Sequence, residues 1–308
     1  METVKESINR IEIWGFYDFK KILFQALSAI KDNFKYTHNS YLTAKMINYY
    51  LQWFAVRYIM NKNIGENVNK LKNWIIFDTP FGKYLCTTVA ECKMMRDNYE
   101  KDIYDIINQI SSKDDWDSER YCINVWANIW RRSINLAKNF WYKVLAFEPA
   151  PSTFEHLQTN IWLSWLKNEI EAYNIGLWNS DEELPFTVWD IADTTAHIND
   201  ENFIHKCKCI TQTKEISVPI NKFDNLWIDA KKIESTKLIL IDVEWFEFNV
   251  LKWMANALKL MWDVDLIVEI WSDQKERDET IRFIKSLWFS AKQINRDYRL
   301  FSKWHKEI

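Results

Sequence analysis

From residue 121 onward, short apolar runs alternate with stretches of helical periodicity. Tyr121–Val125, Lys143–Phe147, 169–174, 238–242 and 264–270 read as strands, each a compact apolar run bounded by polar residues. Between them, 129–139, 152–160, 245–258 and 274–286 repeat apolar residues at helical spacing and predict helices. This alternation predicts crossover connections and a mostly parallel sheet covered on both faces. After the last helix, 291–294 and 298–301 predict an antiparallel hairpin at the sheet edge. Residues 1 to about 75 read as helical instead: Phe19, Ile22, Leu23, Ala26 and Ile30 share one face, and 46–60 is a second apolar stretch. The segments 74–78 and 83–88, around Pro80-Phe81-Gly82, predict a hairpin, followed by a helix over 92–110. The polar run Ser111-Ser112-Lys113-Asp114-Asp115 marks a boundary between a helical extension over 1–115 and an α/β domain over 116–308.

Composition changes this picture at one point. The chain holds 18 Trp and only 4 Gly, and the two together approach the usual glycine share of about 7%. Trp126, Trp130, Trp141, Trp165, Trp178, Trp245, Trp262 and Trp288 fall between periodic segments, where turns and helix ends call for glycine. Tryptophan thus stands where the pattern expects a residue without a side chain.

The first strand–turn–helix unit carries candidate chemistry. Asn124-Val125-Trp126-Ala127-Asn128-Ile129-Trp130 ends a strand and opens a helix. A helix N-terminus offers unpaired N–H groups to an anionic or zwitterionic ligand, provided the backbone can come close. Glu148, followed by Pro149, ends the next strand, where an acid can accept hydrogen bonds from ribose hydroxyls. The same pattern also describes a βαβ unit that binds nothing.

With glycine at 126 and 130 the first segment becomes Asn-Val-Gly-Ala-Asn-Ile-Gly and resembles the corresponding motif of FkbM methyltransferases. Phe147-Glu148-Pro149 resembles the family's second-strand ending, with Phe154, Leu157 and Asn160 at the spacing of its next helix. Ile241-Asp242-Val243-Glu244-Trp245-Phe246-Glu247, running on to Lys252-Trp253, is similar to a second family block once glycine stands at 245 and 253. The resemblance covers about 115–308. It implies a Rossmann-like class I methyltransferase sheet, S-adenosyl-L-methionine as cofactor, and methyl transfer to oxygen on a small-molecule or glycan hydroxyl. It places the cofactor on Asn124, Trp126, Ala127, Asn128, Trp130, Glu148 and Pro149. Asn124 departs from the family's aspartate and cannot pair ionically with the methionine ammonium. Replacement at four motif positions suggests a gene in which UGA encodes glycine and was rendered as tryptophan.

Asp242 and Glu244 end the fourth strand at the edge where open α/β sheets bind ligands. Either could remove a proton from an acceptor hydroxyl or orient it, or both could simply favour the dipole of the following helix. Glu269 ends the fifth strand and could face the acceptor. Arg131 and Arg132 begin the helix beside the cofactor turn, and one of them could meet an anionic acceptor. Asn174 and Asp190 are further polar candidates without an assigned role, His156 and His197 are either bases or solvated histidines, and Asp181-Glu182-Glu183 reads as a solvated turn.

Two other readings stand beside this one. A nicotinamide-dependent oxidoreductase would use Glu148 equally well but needs a second mononucleotide half. A catalytically inactive binding protein would use the tryptophans as an aromatic surface. A net charge of −3 gives no footprint for nucleic acid. No apolar run approaches the roughly 20 residues of a membrane span, and the mixed-charge beginning lacks a signal-peptide core, so a cytoplasmic location is expected. Cys86, Cys92, Cys122, Cys207 and Cys209 show no paired metal-ligand spacing.

Overall fold

A computed structural model describes residues 70–95, 100–113, 118–128, 131–189, 197–198, 213–243, 246–271 and 276–303, with parts of 24–47. The chain divides into two compact units, Met1–Tyr99 with Asn202–Gln212, and Glu100–Glu201 with Thr213–Ile308. The second unit therefore begins ahead of the polar run at 111–115 and includes the helix before it.

In the first unit, β1 (Lys70–Thr79) and β2 (Gly82–Thr88) pair antiparallel across Pro80 and Phe81, with Thr79 opposite Gly82. Ile75, Phe77 and Thr79 are buried while Ile76 and Asp78 are exposed, the period-two pattern of a strand with one covered face. A short helix α1 (Val89–Met94) follows, and its buried Glu91 accepts hydrogen bonds from Thr87.

The second unit is built on a seven-stranded sheet. Its elements are α2 (Lys101–Ser111), β3 (Tyr121–Val125), α3 (Arg131–Phe140), β4 (Lys143–Phe147), α4 (Pro151–Leu163) and β5 (Ile170–Tyr173). An antiparallel-rich insertion follows, with β6 (Gly176–Leu177), β7 (Glu182–Trp189), β8 (His197–Ile198) and β9 (Thr213–Asn221). The chain then runs through α5 (Ala230–Glu234), β10 (Thr236–Ile241), α6 (Glu247–Lys252), α7 (Ala255–Leu260), β11 (Asp265–Glu269), α8 (Arg277–Ser286), β12 (Phe289–Gln293) and β13 (Tyr298–Lys303). The large sheet has the order β12-β13-β11-β10-β3-β4-β5, and the insertion forms a second sheet ordered β6-β9-β7-β8. Strands β11, β10, β3, β4 and β5 are parallel, and β13 enters antiparallel between β11 and β12. All five residues of β3 are buried, as are four of five in β4 and β11. That burial explains why these strands read as unbroken apolar runs. The order reverses between β3 and β10, which opens a crevice at their carboxyl ends.

One expected helix is two. The stretch 245–258 breaks at Trp253 and Met254 into α6 and α7. Asp224 causes the restart, because its carboxylate accepts the N–H groups of Asn256 at 3.1 Å and Ala257 at 2.9 Å. A carboxylate on the first N–H groups of a helix fixes where that helix begins. The helix expected over 92–110 is likewise divided into α1 and α2.

The backbone also answers for the tryptophans. Among the described residues, six non-glycine residues have positive φ, and four of them are Trp126, Trp141, Trp165 and Trp288. At the end of α4 the Trp165 N–H bonds the Trp162 carbonyl and the Leu166 N–H bonds the Ile161 carbonyl, both at 3.1 Å, with φ 61° at Trp165. This is a Schellman closure, whose left-handed residue is ordinarily glycine. Trp141 and Trp288 stand just past α3 and α8 with φ 52° and 71°. Trp141, Trp165 and Trp288 are largely exposed, at 66%, 83% and 63%, so their rings contribute little packing. Trp178 packs edge-on against Phe246, Trp262 is exposed in a bend, and Trp253 has φ −97°, a conformation open to any residue. Trp130 and Trp245 lie outside the described residues.

Left-handed backbone costs a side-chain-bearing residue roughly 1–2 kcal/mol. The combined Trp141→Gly, Trp165→Gly and Trp288→Gly chain is therefore expected to be about 3 kcal/mol more stable. Trp162→Gly, within α4, should instead destabilise by about 1 kcal/mol. Thermal melting of both variants checks this; a fall in midpoint for the triple variant would show that these positions do not want glycine.

Candidate cofactor and acceptor site

The turn after β3 is tied to the end of β4. Ala127 donates its N–H to the Phe147 carbonyl at 2.7 Å, and Asn128 donates to Glu148 Oε2 at 2.8 Å. The Ala150 N–H reaches Glu148 Oε1 at 2.9 Å. Glu148 thus gathers N–H donors from two loops, and it is only 1% exposed. Asn174 donates from Nδ2 to the carbonyls of Glu148 and Pro149, at 2.8 and 3.0 Å, and so fixes the loop beyond β4. Two residues of the turn, Trp126 and Asn128, are left-handed with φ 66° and 54°. A left-handed turn between a strand and a helix start is the shape in which backbone N–H groups face an incoming ligand.

Asn124 lies beneath this turn and is wholly buried. Its Nδ2 donates to Ser133 Oγ at 2.9 Å, clamping the strand end to the first turn of α3. Its Oδ1 has no hydrogen-bond partner among the described residues. A buried acceptor without a donor costs about 1–3 kcal/mol, which a cationic ligand group would recover. Trp126 works against the same site: its indole is 7% exposed and packs 5.3 Å from the ring of Phe186. The backbone and Asn124 fit a cofactor; the indole does not.

At the neighbouring strand end, Asp242 is held on several sides. Arg132 Nη1 donates to Asp242 Oδ2 at 2.6 Å, and the Tyr298 hydroxyl donates to the same oxygen at 2.7 Å. Glu269, 8% exposed at the end of β11, stands close enough to Asp242 to help lower its pKa. Arg132 meets Glu100 side-on, through Nε at 3.1 Å and Nη2 at 2.6 Å. Burial alone would raise the Asp242 pKa, but the Arg132 charge and its hydrogen bonds outweigh that and hold it below the usual carboxylate range. Burial would lower the Arg132 pKa, yet Glu100, Tyr298 and Asp242 carry it above its ordinary value. The Tyr298 phenol is pushed well up, chiefly by burial. Arg132 is therefore committed to two carboxylates and is not the open cation that its place in the sequence suggested.

The lowered Asp242 value has a stability consequence. Its contribution is complete above the unfolded value of about 4 and is lost as pH falls through the folded value. Denaturant titrations should show a constant gap between the parent and Asp242→Asn chains across neutral pH, closing under acid. A gap that stays constant in acid would mean that the carboxylate's charge is not what stabilises the fold.

Glu244 lies outside the described residues, as do Asp190, Cys207 and Cys209. Glu247 is buried and accepts the Val243 N–H, so it locks the loop ahead of α6. Burial lowers the pKa of His156 on α4. His197 lies on β8, in the insertion sheet. Asp181 accepts the Lys222 N–H and both Asn221 and Asn225 side chains, which makes it a turn clamp. Residues missed from sequence are Glu100, Ser133 and Tyr298. Tyr298 had a usable signal: as the first residue of an antiparallel strand it must lie at the carboxyl edge, opposite Glu269. A groove of about 720 Å³ lined by Glu155, Trp162, Lys167 and Ala172 includes none of the site residues above. Among the described residues no helix is long and apolar enough to cross a membrane, and no cluster of His, Cys, Asp and Glu could hold a metal ion.

A strand–turn–helix cradle, an acid on the second strand and a parallel sheet closed by an antiparallel last strand form a Rossmann-like α/β fold with a candidate nucleotide-cofactor site at its strand ends. Residues 120–300 match the model of the methyltransferase FkbM domain, and the chain belongs to that family. S-adenosylmethionine is the cofactor that this membership assigns. Methyltransferase 1 of Beauveria bassiana (strain ARSEF 2860) is 25% identical over 139 residues, 41% of this chain and 54% of the relative. The chain thus spans about half the length of the curated relative it matches. Among solved structures, TYW2 of P. horikoshii in complex with MeSAdo is 14% identical, with a TM-score of 0.40, covering 75% of this chain and 70% of that one. Magnesium protoporphyrin IX methyltransferase from Synechocystis PCC 6803 with bound SAM is 9% identical, with a TM-score of 0.41, covering 69% and 83%. Neither likeness carries a functional assignment to this chain.

Proposed function

We propose that the second unit transfers a methyl group from S-adenosylmethionine to a hydroxyl oxygen of a small molecule or glycan, and that its working form carries glycine at 126, 130, 245 and 253. The observation that carries this reading is Glu148, whose carboxylate collects the Asn128 and Ala150 N–H groups at the carboxyl end of β4, beside the turn that follows β3. A carboxylate accepts at about four positions, so one group can organise the turn and receive ribose hydroxyls. Asn124 Oδ1 would accept from the methionine ammonium, and glycine at 126 would let the 126–128 backbone approach the cofactor. Bound there, the cofactor supplies an electrophilic methyl on a sulfonium.

The remaining task is to hold the acceptor oxygen in line with that methyl and remove its proton. Asp242, ionised and held below the usual carboxylate range, is a weak base at neutral pH and is suited to orienting the hydroxyl. Glu244 is the proposed base. The nicotinamide reading is not favoured, because the sheet closes with the antiparallel β13 and β12 where a second mononucleotide half would stand.

The test is transfer of labelled methyl from S-adenosylmethionine to a panel of glycans and hydroxylated metabolites by the chain carrying the four glycines. Expected is label in an alkali-stable ether on one acceptor class, reduced at least tenfold by Glu244→Gln. Label appearing only in amines, or only in alkali-labile esters formed on carboxylate oxygens, would overturn a hydroxyl oxygen as the acceptor.

A further inference from the structure

Four side chains from four separate parts of the chain, Asp242 among them, meet at the Arg132 guanidinium. Glu100 precedes α2, Arg132 lies in the first turn of α3, Asp242 follows β10, and Tyr298 opens β13. Each donor is committed: Arg132 divides its guanidinium between Glu100, Asp242 and the Tyr298 oxygen, while the Tyr298 proton goes to Asp242. The Arg132 guanidinium also lies 5.5 Å from the centre of the Tyr298 ring. The side chains of Arg132, Glu100 and Asp242 are only 14%, 17% and 20% exposed. Glu100 is left-handed at φ 52°, a strained backbone offset by its two-pronged grip on Arg132.

Strand register sets where this assembly acts. Leu240 pairs with Asn124 and Ile241 with Val125, so Asp242 and Trp126 are the next residues on adjacent strands. Neighbouring strands lie roughly 4.8 Å apart. The clamped carboxylate therefore stands beside the cofactor turn, at the same level of the crevice. Glu100 and Asp242 around one guanidinium leave these three groups one negative charge in excess, and Glu269 beside Asp242 brings no compensating positive charge.

We propose, on the cofactor reading above, that Arg132 and Tyr298 are positioning residues that fix Asp242 as an anion facing the cofactor, so that the site prefers the cationic methyl donor to its neutral demethylated product. S-adenosylmethionine carries a sulfonium charge that S-adenosylhomocysteine lacks, and the two are otherwise alike. A fixed anion discriminates between them; a carboxylate free to turn to solvent is screened and does so less. The consequence for turnover is easier exchange of spent cofactor for fresh.

The experiment is calorimetric titration of both compounds into the full chain carrying glycine at 126, 130, 245 and 253. Asp242→Asn should lower the affinity ratio of donor over product by about tenfold, and Tyr298→Phe by about threefold. Arg132→Lys, which keeps the charge but loses the fork, should behave like Tyr298→Phe. In the Asp242→Asn background, Tyr298→Phe should change the ratio no further, since it acts only through that carboxylate. A structural role alone would weaken both compounds equally and leave the ratio alone. An unchanged ratio in Asp242→Asn overturns the proposal while the cofactor reading stands. Absence of binding by either compound overturns that reading, and this proposal with it.

Discussion

Trp126→Gly together with Trp130→Gly is expected to turn a chain that binds S-adenosylmethionine no tighter than about millimolar into one that binds at about micromolar concentration, a gain of at least about 4 kcal/mol in binding free energy. The corner where the backbone must meet the cofactor holds an indole, 7% exposed and packed on Phe186. Removing a buried tryptophan ring costs about 3–5 kcal/mol of packing, and relief of left-handed strain returns about 1–2. The Trp126 replacement should thus lower thermal stability while creating binding. General repair of the fold cannot produce that opposition of signs. Equilibrium dialysis with labelled cofactor, beside a thermal melt, reads both quantities. Binding by the tryptophan-bearing chain at the same affinity would show that the indole is no obstacle. The coding DNA gives an independent check: UGA is expected at 126, 130, 245 and 253, and UGG there would make the tryptophans genuine.

Where burial is simple, the fold was legible. Tyr121–Val125 and Lys143–Phe147 are strands with the bounds that their apolar runs suggested, because strands covered on both faces have no polar alternation to blur their ends. The closing hairpin was legible too, but its half-exposed strands run over 289–293 and 298–303, not the 291–294 and 298–301 expected. What the chain alone could not show depended on distant partners. Asp224 breaks the 245–258 stretch through side-chain contacts to Asn256 and Ala257, more than 30 residues along the chain. The insertion sheet rests on long antiparallel pairing between 182–189 and 213–221, whose short alternating runs resemble loops when taken singly. At the candidate site, Asp242 and Glu148 were found from their strand-end positions. Tyr298's place opposite Glu269 was readable from its strand, but the grip on Asp242 was not, because Glu100, Arg132 and Tyr298 converge only after four elements have packed. The left-handed tryptophans are the reverse case. Turn chemistry is local: of the described tryptophans that the spacing of apolar runs picked out, Trp126, Trp141, Trp165 and Trp288 have positive φ, while Trp178 and Trp262 do not.

Glu148→Gln should carry the second large effect, an affinity loss of about a hundredfold for S-adenosylmethionine in the glycine-bearing chain. Hydrogen bonds to a charged acceptor contribute about 1.5–3 kcal/mol each, and two ribose hydroxyls would lose that assistance together. The substitution also turns an amide donor toward one of two backbone N–H groups, Asn128 or Ala150, that the carboxylate now accepts. A structural cost of about 1–3 kcal/mol follows, so weaker binding alone would not separate the two roles. The separation comes from a cofactor analogue lacking the ribose 2′- and 3′-hydroxyls. The parent chain should bind that analogue far more weakly than the intact compound, whereas Glu148→Gln should bind the two alike. If the variant kept the parent's full preference for the hydroxylated ribose, Glu148 would be a turn organiser only. The acid that receives the sugar would then have to be sought elsewhere along the crevice.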